Sequence, residues 1–288
     1  MTPSSLTSFP SRAAFFGGVY NNSPALEAAI QDARHRGAEA LFCLGDLGGF
    51  GPHPERVPAL LREHGVTVIQ GNYEESVGHD RDDCQCGYTD PRDNRFAQIA
   101  YDYTRANTPR AFKEWYRELP PTHRIEMGGR RVLLCHGSPR RQNEFLWQST
   151  SPVPFLEKLL RDHGTDVILC THTGLHWSRT LPGGGQVINV GALGRPANDG
   201  ATHVWYTLLT AARTGATAWS GPLGVEFVPV VYDHERLARD MRGEGLPEEF
   251  VETILTGWWT TCLEVLPARE RESGRFYYRI RPAEHQGT

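Results

Sequence analysis

Apolar runs that stop abruptly at a glycine or a polar residue recur along this chain, and they predict its strands. Residues 12–20 read as a first strand. A helix is predicted over 24–36, where Leu26, Ala29, Ile30 and Ala33 recur at helical spacing behind Ser23 as cap and Pro24 at the first helical position. Residues 38–47 form the second predicted strand, 54–63 a helix, and 66–70 a third strand that ends in Gly71-Asn72. Strand and helix in alternation imply a parallel sheet. The loops at its carboxyl edge would gather Tyr20-Asn21-Asn22, Gly45-Asp46 and Gly71-Asn72.

Residues 73–121 break this rhythm with an acidic, cysteine-containing loop and two aromatic-rich helices predicted over 95–105 and 109–118. An insertion of that length reads as a lid or a substrate-selecting element. A hairpin follows, with arms over 124–127 and 130–134 around Gly128-Gly129, and its second arm runs into Cys135-His136-Gly137-Ser138-Pro139. After a helix over 152–163, a strand over 166–170 ends in Thr171-His172-Thr173-Gly174-Leu175-His176. Strands over 186–190, 203–209 and 225–231 follow, the last ones antiparallel because their connections are too short to cross over, and helices over 233–242 and 248–258 close the chain. One domain is expected, with a helical insertion at about 73–121 and a C-terminal helical extension at about 233–288.

Four predicted strands thus end in Asp46, Asn72, His136 and His172. A carboxylate where an apolar strand stops either caps the next helix or holds a metal, and the Gly48-Gly49-Phe50-Gly51-Pro52 that follows Asp46 is a poor helix start. A carboxylate, an amide oxygen and two imidazoles form a mixed oxygen and nitrogen set suited to Mn, Fe, Zn, Ni or Co. The competing reading is four unrelated strand ends, since a single histidine in such a place is more often hydrogen-bonded structure.

Composition narrows the partners. Among 288 residues, 39% are apolar and 22% charged, and the net charge is -4 with no dense Lys/Arg run, which argues against nucleic acid. No stretch approaches the roughly 20 apolar residues of a membrane span, and the polar start lacks a leader pattern, so a cytoplasmic protein is expected. Cys43, Cys135 and Cys170 sit in apolar runs, as reduced buried thiols do. Cys84 and Cys86 flank Gln85 in a very polar stretch, too close for an unstrained disulfide; they are either spare thiols or a pair that holds a soft metal or reacts.

Gly45-Asp46, Gly71-Asn72, His136-Gly137 and Thr171-His172-Thr173, with the run 189–196 that ends in Gly194-Arg195-Pro196, resemble the motifs of calcineurin-like metallophosphoesterases over residues 12–246. The resemblance implies an α/β fold, a four-layer αββα sandwich of two mixed sheets. It also implies a metal pair bridged by Asp46, with Asn72, His136 and His172 completing one site. Three departures touch the other ion alone: Gly18 stands where the family has Asp, Tyr20 where it has His, and Gly174 where it has a second His. A fourth places Tyr73 where the family has a His near the leaving group, and a phenol with a pKa near ~10 is a poor proton shuttle at neutral pH.

Three readings follow. In the first, one divalent ion polarises a phosphoryl oxygen and activates water, fixed by Asp46 and His136 and completed by Asn72 and His172, while Tyr20, Tyr73 or Arg140 supplies the missing electrostatics. In the second, a rebuilt second metal site draws on Cys84 and Cys86, with Asp82 or Asp83, or on His176. The third is a phosphate- or partner-binding protein without turnover. His176 beside Trp177 also reads as surface packing, Arg140-Arg141 as an exposed helix start, and Tyr20 and Tyr73 as filling for vacated space. The leading expectation is a phosphoester hydrolase acting on a small phosphorylated compound or a phosphoprotein.

Overall fold

The computed structural model describes residues 10–214, 218–219 and 221–272. Its first sheet has the order β12-β9-β1-β2-β3, built from β1 (Arg12–Phe16), β2 (Ala40–Cys43), β3 (Thr67–Val68), β9 (Val204–Thr210) and β12 (Gly224–Val230). The second has the order β4-β5-β6-β8-β7, built from β4 (Thr122–Met127), β5 (Arg130–Cys135), β6 (Val167–Cys170), β7 (His176–Thr180) and β8 (Gln186–Val190). Both are mixed. In the first, β1, β2 and β3 run parallel, joined through helices α1 (Ser23–His35) and α2 (Arg56–Glu63), while β9 and β12 are antiparallel. A short ladder joins β10 (Arg213–Thr214) to β11 (Ala218–Trp219).

Alternation along β1 explains the layering. Ala13 and Phe15 pack between the sheets with Phe42, Leu134, Leu169 and Ile188, whereas Ala14 and Phe16 point to the opposite face. That face is covered by α1, with Leu26, Ala29 and Ile30, and by α7 (His234–Gly243) and α8 (Glu248–Thr256). On the far face of the second sheet, Leu156, Leu159 and Leu160 of α6 (Val153–Asp162) cover Ile168, Cys170 and Val187. The result is helix, sheet, sheet, helix, the expected four layers.

The insertion carries three helices, one more than its pattern predicts: α3 (Asn72–Gly78), α4 (Pro91–Asn107) and α5 (Arg110–Glu118). Asn72 therefore opens a helix as well as following a strand. β7 also went unpredicted, because its burial alternates on an edge strand with no continuous apolar run. After α8, residues 257–272 contain no further long helix and fold back against the molecule, burying Trp259, Thr261 and Cys262. Residues 273–288 of the expected C-terminal extension lie outside the described residues. Among the described residues, no helix is long and apolar enough to cross a membrane.

Candidate metal centre

The ends of β2 and β3 approach so closely that only glycine fits between them. A Cβ on Gly45 would lie 2.3 Å from the amide nitrogen of Gly71, and one on Gly71 would lie 2.6 Å from that of Asp46. This contact explains why both loops open with glycine. The carboxylate of Glu74, fully buried on α3, then ties them together by accepting the N–H groups of Asp46, Leu47 and Gly71, each at 2.8 Å. Burial, followed by the charge of Asp46, pushes the Glu74 carboxyl up to about 7. No local motif predicts Glu74 as a site residue; its signal is a carboxylate at the third position of a helix that opens at Asn72.

Asp46, Tyr20 and His172 all adopt the left-handed backbone region, with φ of +56°, +50° and +68°. Such conformations are uncommon for residues with a Cβ, and here they cluster around one point. Asp46 Oδ2 lies 3.2 Å from His136 Nε2, which lies 3.0 Å from His172 Nδ1. These three atoms fall within 4.8 Å of one another, and the residues are only 4%, 1% and 7% exposed. His136 Nδ1 is 2.6 Å from the Leu44 carbonyl. An N–H there must donate to that oxygen, so the Nε2 lone pair of a neutral ring would face a carboxylate and a second imidazole nitrogen. A positive charge is needed between them, either a proton or a metal ion.

The titration directions agree. Burial opposes the ionised Asp46, but the neighbouring His136 overrides it and holds the carboxyl below its ordinary range. Burial likewise opposes a charged His136, and the Asp46 carboxylate raises it nonetheless. His172, buried and beside His136, is pushed down to about 3 and stays neutral. A further atom points to an ion: the Asn72 amide oxygen is buried without a hydrogen-bond partner among the described residues. The Asn72 amide nitrogen donates to the Cys84 carbonyl at 2.9 Å. The donor set therefore fits a divalent cation held by oxygen and nitrogen.

Four expected participants offer no free ligand or charge to the triad. Cys84 and Cys86 are joined by a disulfide with a Cα–Cα distance of 5.2 Å, because Gln85 turns through the left-handed region at φ +51°. Neither sulfur is then a free thiolate ligand, whereas Cys43, Cys135, Cys170 and Cys262 are buried free thiols. His176 lies on edge strand β7 with its ring 4.5 Å from Trp205 and 4.6 Å from Phe227, outside the triad. Arg140 is exposed, paired with Glu144 and lying 4.8 Å over Phe155, so its charge is already matched away from the cavity.

Tyr20 and Tyr73 do line the site. Together with Asp46, Cys86, Tyr88 and His172 they enclose a cavity of about 10 Å³, room for one water-sized sphere. Burial raises both phenols, and the nearby Asp46 charge adds to the rise, so both stay protonated at neutral pH. Phe145 packs with its ring 4.3 Å from that of His172.

The chain is similar to known proteins over most of its length. Residues 15–212 match the family model described as the calcineurin-like phosphoesterase superfamily domain. An uncharacterised protein of Methanocaldococcus jannaschii is 23% identical over 259 residues, covering 85% of this chain and 97% of that protein. A hypothetical protein from Pyrococcus horikoshii superposes with a TM-score of 0.70 at 21% identity, covering 86% of this chain and 99% of that one. A metallophosphoesterase from Sphaerobacter thermophilus does so at 0.64 and 23%, with the same coverage.

Proposed function

We propose, since the chain belongs to the calcineurin-like phosphoesterase superfamily, that it hydrolyses a phosphate ester with the help of one divalent metal ion held by Asp46, Asn72, His136 and His172. The observation that carries this reading is the convergence of Asp46 Oδ2, His136 Nε2 and His172 Nδ1 in a buried pocket, with His136 Nδ1 occupied by the Leu44 carbonyl. When bound, such an ion polarises a phosphoryl oxygen and lowers the pKa of water.

The chain's own residues do the rest. Leu44 fixes which nitrogen His136 presents, and Asp46 supplies the negative charge that offsets the cation. His136 must release its proton to serve as a ligand, so metal affinity is expected to fall as the pH drops. Tyr20 and Tyr73 remain neutral hydrogen-bond donors, able to stabilise developing negative charge but not to shuttle protons. A phosphate ester is much larger than the 10 Å³ cavity, so its entry requires the lining to open.

That closure favours one alternative, a phosphate- or partner-binding protein that retains the ion without turnover. Reconstitution with Mn, Fe, Co, Ni and Zn, followed by assays on chromogenic phosphate mono- and diesters, separates the two. Hydrolysis that needs metal and disappears in His136→Ala is expected. A metal-loaded protein inert toward every ester would reject turnover and leave the binding role. The substrate class we assign is a small phosphorylated compound or a phosphoprotein.

A further inference from the structure

A buried cation without a carboxylate partner is costly and calls for a reason. Arg195 is such a group. It is 5% exposed, and among the described residues no carboxylate lies within ion-pair distance of it, unlike Arg36, Arg131 and Arg140, each of which meets an acid. Its guanidinium carbon sits 4.0 Å from the centre of the Trp259 ring and 4.9 Å from that of Phe50. One N–H donates to the Thr261 carbonyl at 2.6 Å. Aromatic faces, the Thr261 carbonyl and the Cys262 side chain, which also hydrogen-bonds it, hold the fork in place, and none of them brings a carboxylate.

The loop that carries Arg195 is bolted to the one that carries Tyr20. The amides of Leu193 and Gly194 donate to the Gly18 carbonyl, the Asn22 side chain donates to the Gly194 carbonyl, and a Cβ on Gly194 would lie 2.0 Å from the Val19 carbonyl oxygen. Tyr20 and Phe50 line both the pocket around Arg195 and the cavity beside Asp46 and His172. The guanidinium therefore stands one aromatic layer, Tyr20 and Phe50, from the candidate metal centre, within reach of a ligand that displaces those rings, and Arg140 is spent on Glu144.

We propose that Arg195, with the Tyr20 hydroxyl, is the anion subsite of this centre and binds non-bridging oxygens of a phosphate group. This rests on the phosphoester reading above. A divalent ion beside Asp46 leaves about one net positive charge, against about two negative charges on a phosphate monoester; the guanidinium supplies the difference. The planar fork suits two such oxygens, which a lysine would meet as a point charge.

The test titrates inorganic phosphate into the metal-loaded full chain by calorimetry, with elemental analysis of each sample, for the wild type, Arg195→Gln and Arg195→Lys. All three are expected to keep the same metal content. Loss of charge-assisted hydrogen bonds should weaken phosphate binding by about a hundredfold in Arg195→Gln and by about tenfold in Arg195→Lys. Circular dichroism checks the fold, and if Arg195→Gln fails to fold, the Arg195→Lys value decides. Unchanged affinity in a folded, metal-loaded variant overturns the anion subsite but leaves hydrolysis standing, as does a wild type that hydrolyses esters yet binds no phosphate. Weakened binding in a protein that hydrolyses no ester keeps the subsite and removes turnover instead.

Discussion

Across the buried cavity, one wall brings three lone pairs to a point and the other stacks aromatic rings on glycines. On the first wall Asp46, His136 and His172 meet within 4.8 Å. On the second, the Tyr20 ring lies over Gly18, where an added Cβ would come 2.6 Å from ring carbons. Trp259 does the same at Gly174, where a Cβ would come 2.8 Å from its ring. The family resemblance implies ligands at positions 18, 20 and 174; here two of those positions are glycine, and aromatic rings occupy the space above them. One wall gathers ligand atoms, and the other packs aromatic rings against glycines.

The contrast can be broken by adding side chains to the aromatic wall. Gly174→His should be the most damaging change. Its backbone is left-handed at φ +76°, which costs about 1–2 kcal/mol for a residue with a Cβ, and the collision with Trp259 adds about 1–3 kcal/mol. Denaturant unfolding checks the sum, and a second metal bound by this single variant would contradict the aromatic packing. Gly18→Ala should cost about 1–3 kcal/mol, most of it recovered when Tyr20 is also replaced by Ala. A cycle in which the two effects simply add would show that the ring does not hold that space.

On the ligand wall, Glu74 gives a pH signature. Its carboxyl is raised from its ordinary 4.5 to about 7, so its contribution to stability is present below about 4.5 and is lost as the pH climbs toward 7. His136, also raised, acts in the same direction as the pH rises. His172, pushed down to about 3, opposes both by gaining stability up to its ordinary 6.5; metal-free protein should therefore show only a shallow slope between about pH 4.5 and 6.5, and Glu74→Gln should turn that slope upward while weakening the fold by about 1–3 kcal/mol through its lost backbone acceptors. Thermal unfolding across that range reads both; an unchanged slope in Glu74→Gln would remove Glu74 as a contributor to it. The smallest effect belongs to Tyr73→Phe. Its hydroxyl is buried with no partner among the described residues, so removing it should change stability by less than about 0.5 kcal/mol. A larger loss in unfolding free energy would mean that the phenol is doing structural work.

The strand ends were legible because a buried strand must be apolar and must stop where its backbone turns, so Gly-Asp, Gly-Asn and the two histidines mark themselves. The layers followed from the same alternation. What escaped depends on contacts distant in sequence. Trp259 reaches Gly174 from a segment after the last helix, Glu74 gathers amides from two loops at once, and Arg195 is revealed only by the absence of an acid around it. The spacing of Cys84 and Cys86 does not by itself disclose the left-handed turn at Gln85 that brings the two sulfurs together. His176 was drawn toward the site by its nearness to His172 in sequence, but strand β7 carries it to Trp205 and Phe227.

Metal stoichiometry tests the asymmetry most directly. Elemental analysis of the wild type and of His136→Ala, after incubation with excess divalent metal and desalting, should give one equivalent per chain in the first and none in the second. Two equivalents in the wild type, or one retained without His136, would contradict it.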